Sequence, residues 1–343
     1  MAVTLRDIAD EAGVSVMTVS NVVNGKSARV SQATIDRVTG IMQRRGYVPN
    51  APARSLAAQR SHVVGVLVPA DEGDSLLMSP HHTAVIGGVE RQLRRHGYHV
   101  LLRGIADPAE VSEAVRGWSL DGVILLGFLD EEVDGIAIDG VPVVAVDSYS
   151  DNPGTVGVRS DDVAGGFAAG RHLIELGHRA IAFAGPHFSD VGVVRRRFDG
   201  FRAAFDAAGL AFDDRRILES PTTYADGRRL AETLRTEHPD VTAVFATADI
   251  LAIGMLAGLA DAGVAVPGDV SVIGFDDLEF GGFVSPGLTT IGQDLTAKAA
   301  ETTRILLAEI ERDERPSEPV TLDVRLVERG SVAAPRSAPG IAR

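Results

Sequence analysis

The chain has 343 residues, 45% of them hydrophobic, no cysteine and a net charge of −14. That length exceeds one ordinary domain and supplies ample core, while the lack of thiols excludes disulfides and thiolate metal or redox sites and fits a reducing compartment. The charge is uneven: residues 1–60 hold eight Lys or Arg against four Asp or Glu, so the head is +4 and the rest of the chain −18, and a small basic head on an acidic body draws nucleic acid to one end.

Two short helices are predicted before residue 25. Thr4 is placed to cap the first, whose apolar residues Leu5, Ile8, Ala9 and Ala12 recur at i, i+3, i+4 and i+7 and form one buried stripe. Gly13 ends it, and Ser15 caps a second helix in which Val19, Val22 and Val23 turn inward. Met17, Ser20, Asn21 and Asn24 then share the outer face. That face is short and free of acids, so its amide and hydroxyl groups suit a major groove, where a carboxylate would be repelled. Ser31 opens a third helix with Ile35, Val38, Ile41 and Met42 as its core stripe. The pattern reads as a helix-turn-helix; an ordinary three-helix minidomain has the same periodicity, and the basic charge favours the DNA reading.

Pro49 breaks the third helix. Asn50 and Pro52 then favour a short helix over residues 51–59, which is marginal alone and orders only against a partner. Leu56 would sit exposed on it, either as an apolar wedge for a minor-groove base step or as a contact to the body.

From His62 the chain alternates apolar runs with helical patterns. Residues 63–68, 100–102, 122–126 and 143–146 read as buried parallel strands, and 180–184, 243–246 and 270–274 form a second set. Helices are expected at about 83–96, 162–177, 192–208, 224–236 and 249–262. This is the β-α-β-α pattern of doubly wound parallel sheets, here in two lobes with a cleft between them. Ligands of such folds sit at the carboxyl ends of the strands, which directs the search to the loops at 69–82, 127–130, 147–152, 185–197, 247–249 and 275–283.

Enzyme chemistry is not indicated. No strand is followed by G-x-G-x-x-G, and no Walker A, G-x-S-x-G or H-E-x-x-H motif occurs. No catalytic residue, metal or cofactor is assigned. Gly165, Gly166 and Gly170 lie inside a helical pattern and point to close helix packing, and the pairs Asp161-Asp162 and Asp276-Asp277 suit a turn, a cap or a single ligand contact. The opening residues lack a basic-then-apolar export pattern, and no apolar run approaches the ~18 residues of a spanning helix. A soluble, cytoplasmic protein with no membrane partner is expected.

The chain resembles the lactose repressor and galactose repressor family of bacterial transcription regulators. The likeness runs from Val3-Thr4-Leu5-Arg6-Asp7-Ile8-Ala9 through Gly13-Val14-Ser15, Thr18-Val19-Ser20, Gly46-Tyr47-Val48-Pro49-Asn50 and Ala53-Arg54-Ser55-Leu56. It continues in residues 172–179, in Arg197 with Gly200-Phe201, in residues 270–277 and in Leu288-Thr289-Thr290-Ile291. The resemblance implies a helix-turn-helix head (1–48), a hinge helix (49–60) and a periplasmic-binding-protein-like body (61–335), followed by a disordered tail (336–343). Within the body, lobe 1 is expected at about 61–160 and 289–320, and lobe 2 at about 161–288 and 321–332. It further implies a homodimer, or a dimer of dimers, on a near-palindromic operator, with a small-molecule effector in the body.

Carried over by position, the resemblance makes Val16, Met17 and Asn21 operator-specificity positions and sets Thr4, Ser15, Thr18, Ser20, Asn24, Ser31 and Thr34 near phosphates. Arg29, Asn50 and Ala53 join the DNA-binding set, and Leu56 becomes the wedge at the operator centre. Asn21 stands where the family commonly has Arg, and Met17 where a polar residue is frequent, so the half-site should differ; an Asn pairs with adenine, while the missing Arg removes the commonest guanine contact.

For the effector the resemblance points to Asp147, Arg197, Asp249 and Asp276, with His81, His82 and Thr222 near places where relatives carry aromatics. Carboxylates and a guanidinium suit a ligand rich in hydroxyls, so a sugar or polyol is expected. The departures at His81, His82, Thr222 and Ala248 leave a nucleoside, or a phosphorylated or acidic sugar, as alternatives. The implied function is an allosteric repressor of a carbohydrate uptake or catabolism operon, with a corepressor-dependent or global regulator as the rival.

Overall fold

A computed structural model describes residues 3–23, 27–47, 60–70, 79–138, 140–312 and 314–336. The chain divides into two compact units, Met1–His62 and Val63–Arg343.

The first unit holds α1 (Leu5–Ala12), α2 (Val16–Val23) and α3 (Gln32–Arg45). Thr4 and Asp7 cap each other reciprocally at the start of α1, and Gly13 takes the left-handed conformation (φ 64°) that a side chain would resist. Ser15 Oγ accepts from Thr18 N at 3.1 Å and Ser31 Oγ from Thr34 N at 3.3 Å, so both predicted caps are in place. Ile8, Ala9, Ala12, Val19, Val38 and Ile41 form the core. Ile35, expected in the same stripe, is half-buried and lies outside that cluster. Arg44 and Arg45 reach Glu11 at 3.2 and 2.6 Å and tie α3 to α1. The hinge positions 49–59 and most of the tail, 337–343, lie outside the described residues.

The second unit is built on two six-stranded sheets. In the first, β1 (Val63–Pro69), β2 (His99–Ile105), β3 (Gly122–Leu126), β4 (Val143–Val146), β5 (Val156–Ser160) and β11 (Val320–Leu322) run in the order β2-β1-β3-β4-β5-β11, all parallel. Helices α4 (Pro80–Arg95) and α11 (Leu295–Arg312) cover one face, and α5 (Glu110–Trp118) and α6 (Asp130–Gly135) the other. Burial on both faces is why β1, β3 and β4 read as unbroken apolar runs.

In the second sheet β6 (Ile181–Gly185), β7 (Ile217–Glu219), β8 (Ala243–Ala246), β9 (Ser271–Asp276), β10 (Thr289–Gln293) and β12 (Val324–Val327) run in the order β7-β6-β8-β9-β10-β12. Only β12 is antiparallel, paired with β10. Helices α7 (Asp162–Glu175) and α8 (Val193–Ala207) lie over a phenylalanine-rich core, and α9 (Tyr224–Glu237) and α10 (Asp249–Asp261) over an aliphatic one.

The lobe boundaries differ from the sequence expectation at two places. β10 pairs with β9 in the second sheet, so the chain returns to the first lobe at Asp294 rather than at 289. β11 pairs with β5, which moves the last crossing from 321 to Asp323. Both differences have one cause: β10, an interior strand of five residues, and β11, an edge strand of three, are too short for periodicity to say which sheet they join.

The glycines of α7 mark a close helix contact. A Cβ on Gly166 would lie 1.9 Å from Arg197 O, and one on Gly200 would lie 1.9 Å from Val163 O. The backbones of α7 and α8 therefore touch where Arg197 emerges. Gly200→Ala is expected to destabilise the body by about 3 kcal/mol, measured by chemical denaturation; an unchanged midpoint would mean that the contact gives way easily.

Candidate functional site

Both sheets reverse their winding between the first and third strands to form, and the loops at their carboxyl ends face a cavity of about 590 Å³. Its walls come from the start of α4, the turns after β3 and β4, the long loop after β6 and the turns after β8 and β9. Two carboxylates occupy equivalent places in the two lobes. Asp147 follows β4 and Asp276 ends β9, the fourth strand of each winding, and both have positive φ (57° and 133°). A left-handed backbone at a non-glycine residue is strained, and it aims each carboxylate at the cavity.

Arg197, one turn into α8, is 7% exposed. Its Nε donates to Asp162 Oδ1 at 2.8 Å, its Nη1 to Thr247 O at 2.5 Å, and its guanidinium lies 3.6 Å above the Phe275 ring. Burial opposes the charge on Arg197, but Asp162 and Asp276 hold its pKa above the ordinary value. Burial pushes Asp162 up against the pull of Arg197, and Tyr149 OH donates to the other carboxylate oxygen at 2.9 Å.

Asp147 receives a hydrogen bond from Lys298 Nζ, and His81 Nε2 lies 3.3 Å from its other oxygen. Burial would raise Asp147, yet Lys298 and His81 outweigh it and leave the carboxyl below its usual range. Burial drives His81 down to about 3 and also lowers His82, so both rings are neutral at physiological pH. Asp276 Oδ1 accepts from Gln293 Nε2 at 2.6 Å, and burial pushes this group up despite Arg197 nearby.

Of the effector positions expected from sequence, His81, His82, Asp147, Arg197, Thr222 and Asp276 line the cavity. Asp249 does not. It is fully buried, with Oδ2 accepting from Leu278 N at 2.8 Å and Oδ1 from Thr290 Oγ1 at 2.6 Å, so it braces the loop after β9. Nor does it cap α10, whose cap position is Ala248 with no side-chain bond. The expectation of an effector contact at Asp249 is corrected to that of a brace, because its two oxygens already have partners behind the wall.

Several site residues escaped the sequence reading. Phe128 and Phe188 supply aromatic walls, and Asp130 lines the cavity from the start of α6. Asp130 Oδ1 accepts from Ser148 Oγ and Tyr149 N, both at 2.8 Å, while its Oδ2 has no hydrogen-bond partner among the described residues. Of the pair Asp161-Asp162, Asp161 caps α7 at Ala164 N as anticipated, but Asp162 is the partner of Arg197. The one available signal for Lys298 was its isolation, a lone lysine among small apolar residues.

In the first unit Val16 is 41% and Met17 69% exposed at the start of α2. The hydroxyls of Ser15 and Thr18 lie 2.9 Å apart, as do those of Ser31 and Thr34, each pair at an exposed helix N-terminus of the kind that holds phosphate. Asn21 and Ser20 are half-buried and Arg29 is exposed. Thr4 engages Asp7. Asn24, Asn50, Ala53 and Leu56 lie outside the described residues. No described helix is long and apolar enough to cross a membrane.

Residues 4–50 match the family described as bacterial regulatory proteins, lacI family, and residues 171–332 match the periplasmic binding protein-like domain. The chain is 33% identical over 340 residues to the HTH-type transcriptional regulator CelR of Thermobifida fusca, covering 96% of this chain and 98% of that one. Among solved structures, a transcriptional regulator CelR–cellobiose complex matches with a TM-score of 0.72 at 30% identity, covering 96% of this chain and 99% of that one. The lac repressor dimer bound to operator and the anti-inducer ONPF matches with a TM-score of 0.85 at 26% identity, covering 97% and 100%.

The bonds of Arg197 decide how it should be tested. Because removing it strands buried Asp162, Arg197→Ala is expected to lower body stability by about 3–5 kcal/mol, read from denaturant midpoints. A stability loss below about 1 kcal/mol would mean that the pair contributes no more than a surface ion pair.

Proposed function

Since the chain belongs to the lacI family of bacterial regulatory proteins and is a DNA-binding transcriptional regulator, we propose that it represses a carbohydrate uptake or catabolism operon and is released by an uncharged sugar or polyol. The observation that carries this reading is the arrangement of Asp147 and Asp276, matched carboxylates from the two lobes facing one cavity. Each has one oxygen bonded behind the wall; the other oxygen of Asp276, and that of Asp147 beside His81 Nε2 at 3.3 Å, are the acceptors for ligand hydroxyls. The neutral rings of His81 and His82 add hydrogen-bonding groups without charge, and Phe128 and Phe188 give the apolar faces that a sugar ring covers. A volume of about 590 Å³ accommodates a mono- or disaccharide.

Charge argues against the phosphorylated and acidic alternatives. Asp130, Glu131, Asp147 and Asp276 line the cavity against Arg197, whose Nε and Nη1 are already bonded to the protein. An anion would enter a field of acids with one partly engaged cation to receive it.

At the head, Val16, Met17 and Asn21 are the proposed base-reading positions, and the capped N-termini at Ser15 and Ser31 the phosphate contacts. The regulator acts as a homodimer, because one head makes few contacts while two tethered heads gain effective concentration. Phe283, 75% exposed beside the turn after β9, is a candidate contact between subunits. Ligand closure of the cleft acts on DNA only through a difference in affinity between lobe arrangements, ~1–3 kcal/mol for a usual coupling.

A thermal-shift panel of neutral mono- and disaccharides, polyols, nucleosides and sugar phosphates tests the effector class. Neutral sugars or polyols are expected to stabilise the protein, and Asp276→Asn to weaken the best of them at least tenfold while binding to its own promoter DNA stays normal. Hits confined to nucleosides or phosphates would overturn the sugar reading.

The DNA reading has its own test in fluorescence anisotropy on the same promoter fragment. Asn21→Ala is expected to lose about 1–3 kcal/mol of specific affinity, and wild-type binding to weaken steeply with salt. A flat salt response would remove phosphate contacts from the account.

A further inference from the structure

Lys298 is one of two lysines in the chain, is wholly buried, and lies behind the cavity wall on α11. Its Nζ donates to Asp147 and to Gln293 Oε1. Gln293 ends β10 in the second sheet, and its Nε2 donates to Asp276 Oδ1 at 2.6 Å. Ser160 Oγ, at the end of β5 in the first sheet, donates to the same Gln293 Oε1 at 2.8 Å.

One continuous path of hydrogen bonds therefore joins the cavity carboxylate of the first lobe to that of the second. It runs through the junction where the backbone passes between lobes, beside Ser160, Gln293 and Leu322. The first and third of these passages are themselves linked, Asp161 N donating to Leu322 O at 2.8 Å. Burying an ammonium opposes folding even when it is paired, and a Met in the same space would not. What the ammonium supplies, and Met cannot, is a donor to both lobes at once.

We propose that Lys298 is the positioning residue of the effector site, holding Asp147 and Asp276 in a fixed relation across the lobe junction so that a ligand meets both carboxylates already placed. This rests on the cavity being the effector site. Lys298 itself does not line the cavity and acts through Asp147 and Gln293. Pre-placed acceptors spare the ligand the ordering of two separate lobes, which is where affinity for a small polyol is otherwise lost.

The test is hydrogen exchange by mass spectrometry on the full-length, ligand-free protein. Lys298→Met is expected to speed exchange at least tenfold in peptides covering 147–152 and 276–283, one from each lobe, while the central strands β1 and β8 keep their protection. An increase confined to the first lobe would overturn the proposal and reduce Lys298 to a local counterion.

The double variant Lys298→Met with Asp147→Asn removes the carboxylate that the single change strands. It is expected to recover thermal stability without restoring protection in 276–283; restored protection would show neutralisation alone and sink the idea. Should Lys298→Met fail to fold, Gln293→Leu leaves the Lys298–Asp147 pair in place and is expected to give the same increase in 276–283. No increase there would refute the relay. These readings need no effector, so their failure leaves the sugar assignment standing, and a failed sugar panel leaves the relay standing.

Discussion

A charge buried away from water persists only with a partner, and every ionised group at the floor of the cavity obeys this. Arg197 is held by Asp162, Asp147 by Lys298, and Asp276 by the Gln293 amide with Arg197 nearby. The partners come from elements far apart in sequence: Asp147 and Lys298 are separated by 151 positions and Ser160 and Gln293 by 133. Each of the three charged groups lies in the same lobe as the partner that holds it, and the lobes, each formed by discontinuous stretches of chain, are joined at their junction through Gln293, which accepts from Lys298 and Ser160 of the first lobe. The same pairing leaves carboxylate acceptors and neutral imidazole rings facing the cavity.

The lobes meet this demand with one device used twice. Each sheet winds so that its fourth strand ends in an aspartate with a left-handed backbone, Asp147 and Asp276. Strain at both points is held by the parallel strands on either side, whose buried faces define where each strand stops. Arg197 reaches the cavity because α8 lies against α7 at backbone contact, which Gly166 and Gly200 permit. Packing of glycines on a helix face thus sets the position of a guanidinium.

The head uses its hydroxyls as helix caps. Ser15 and Ser31 start helices by accepting from the amides of Thr18 and Thr34, which would otherwise be unpaired, and the same helix ends present a positive dipole on an exposed surface. Val16 and Met17 remain exposed because the stripe that builds the core takes Val19 and leaves the start of α2 outside.

Local pattern made much of this legible. The helix periods, the caps at Thr4, Ser15 and Ser31, the stop at Gly13 and the apolar runs of the central strands all depend on neighbours within one or two turns, which a sequence displays directly. The short strands β10 and β11 fall across the expected lobe boundaries, since membership of a sheet is a long-range pairing. The same holds within the site. Resemblance marked Asp147, Arg197 and Asp276, yet the partners of these residues, Lys298, Asp162 and Gln293, and the turning of Asp249 away from the cavity were decided only in three dimensions. Which acid keeps a free oxygen depends on what lies behind it, and what lies behind it is chain from another element of the fold.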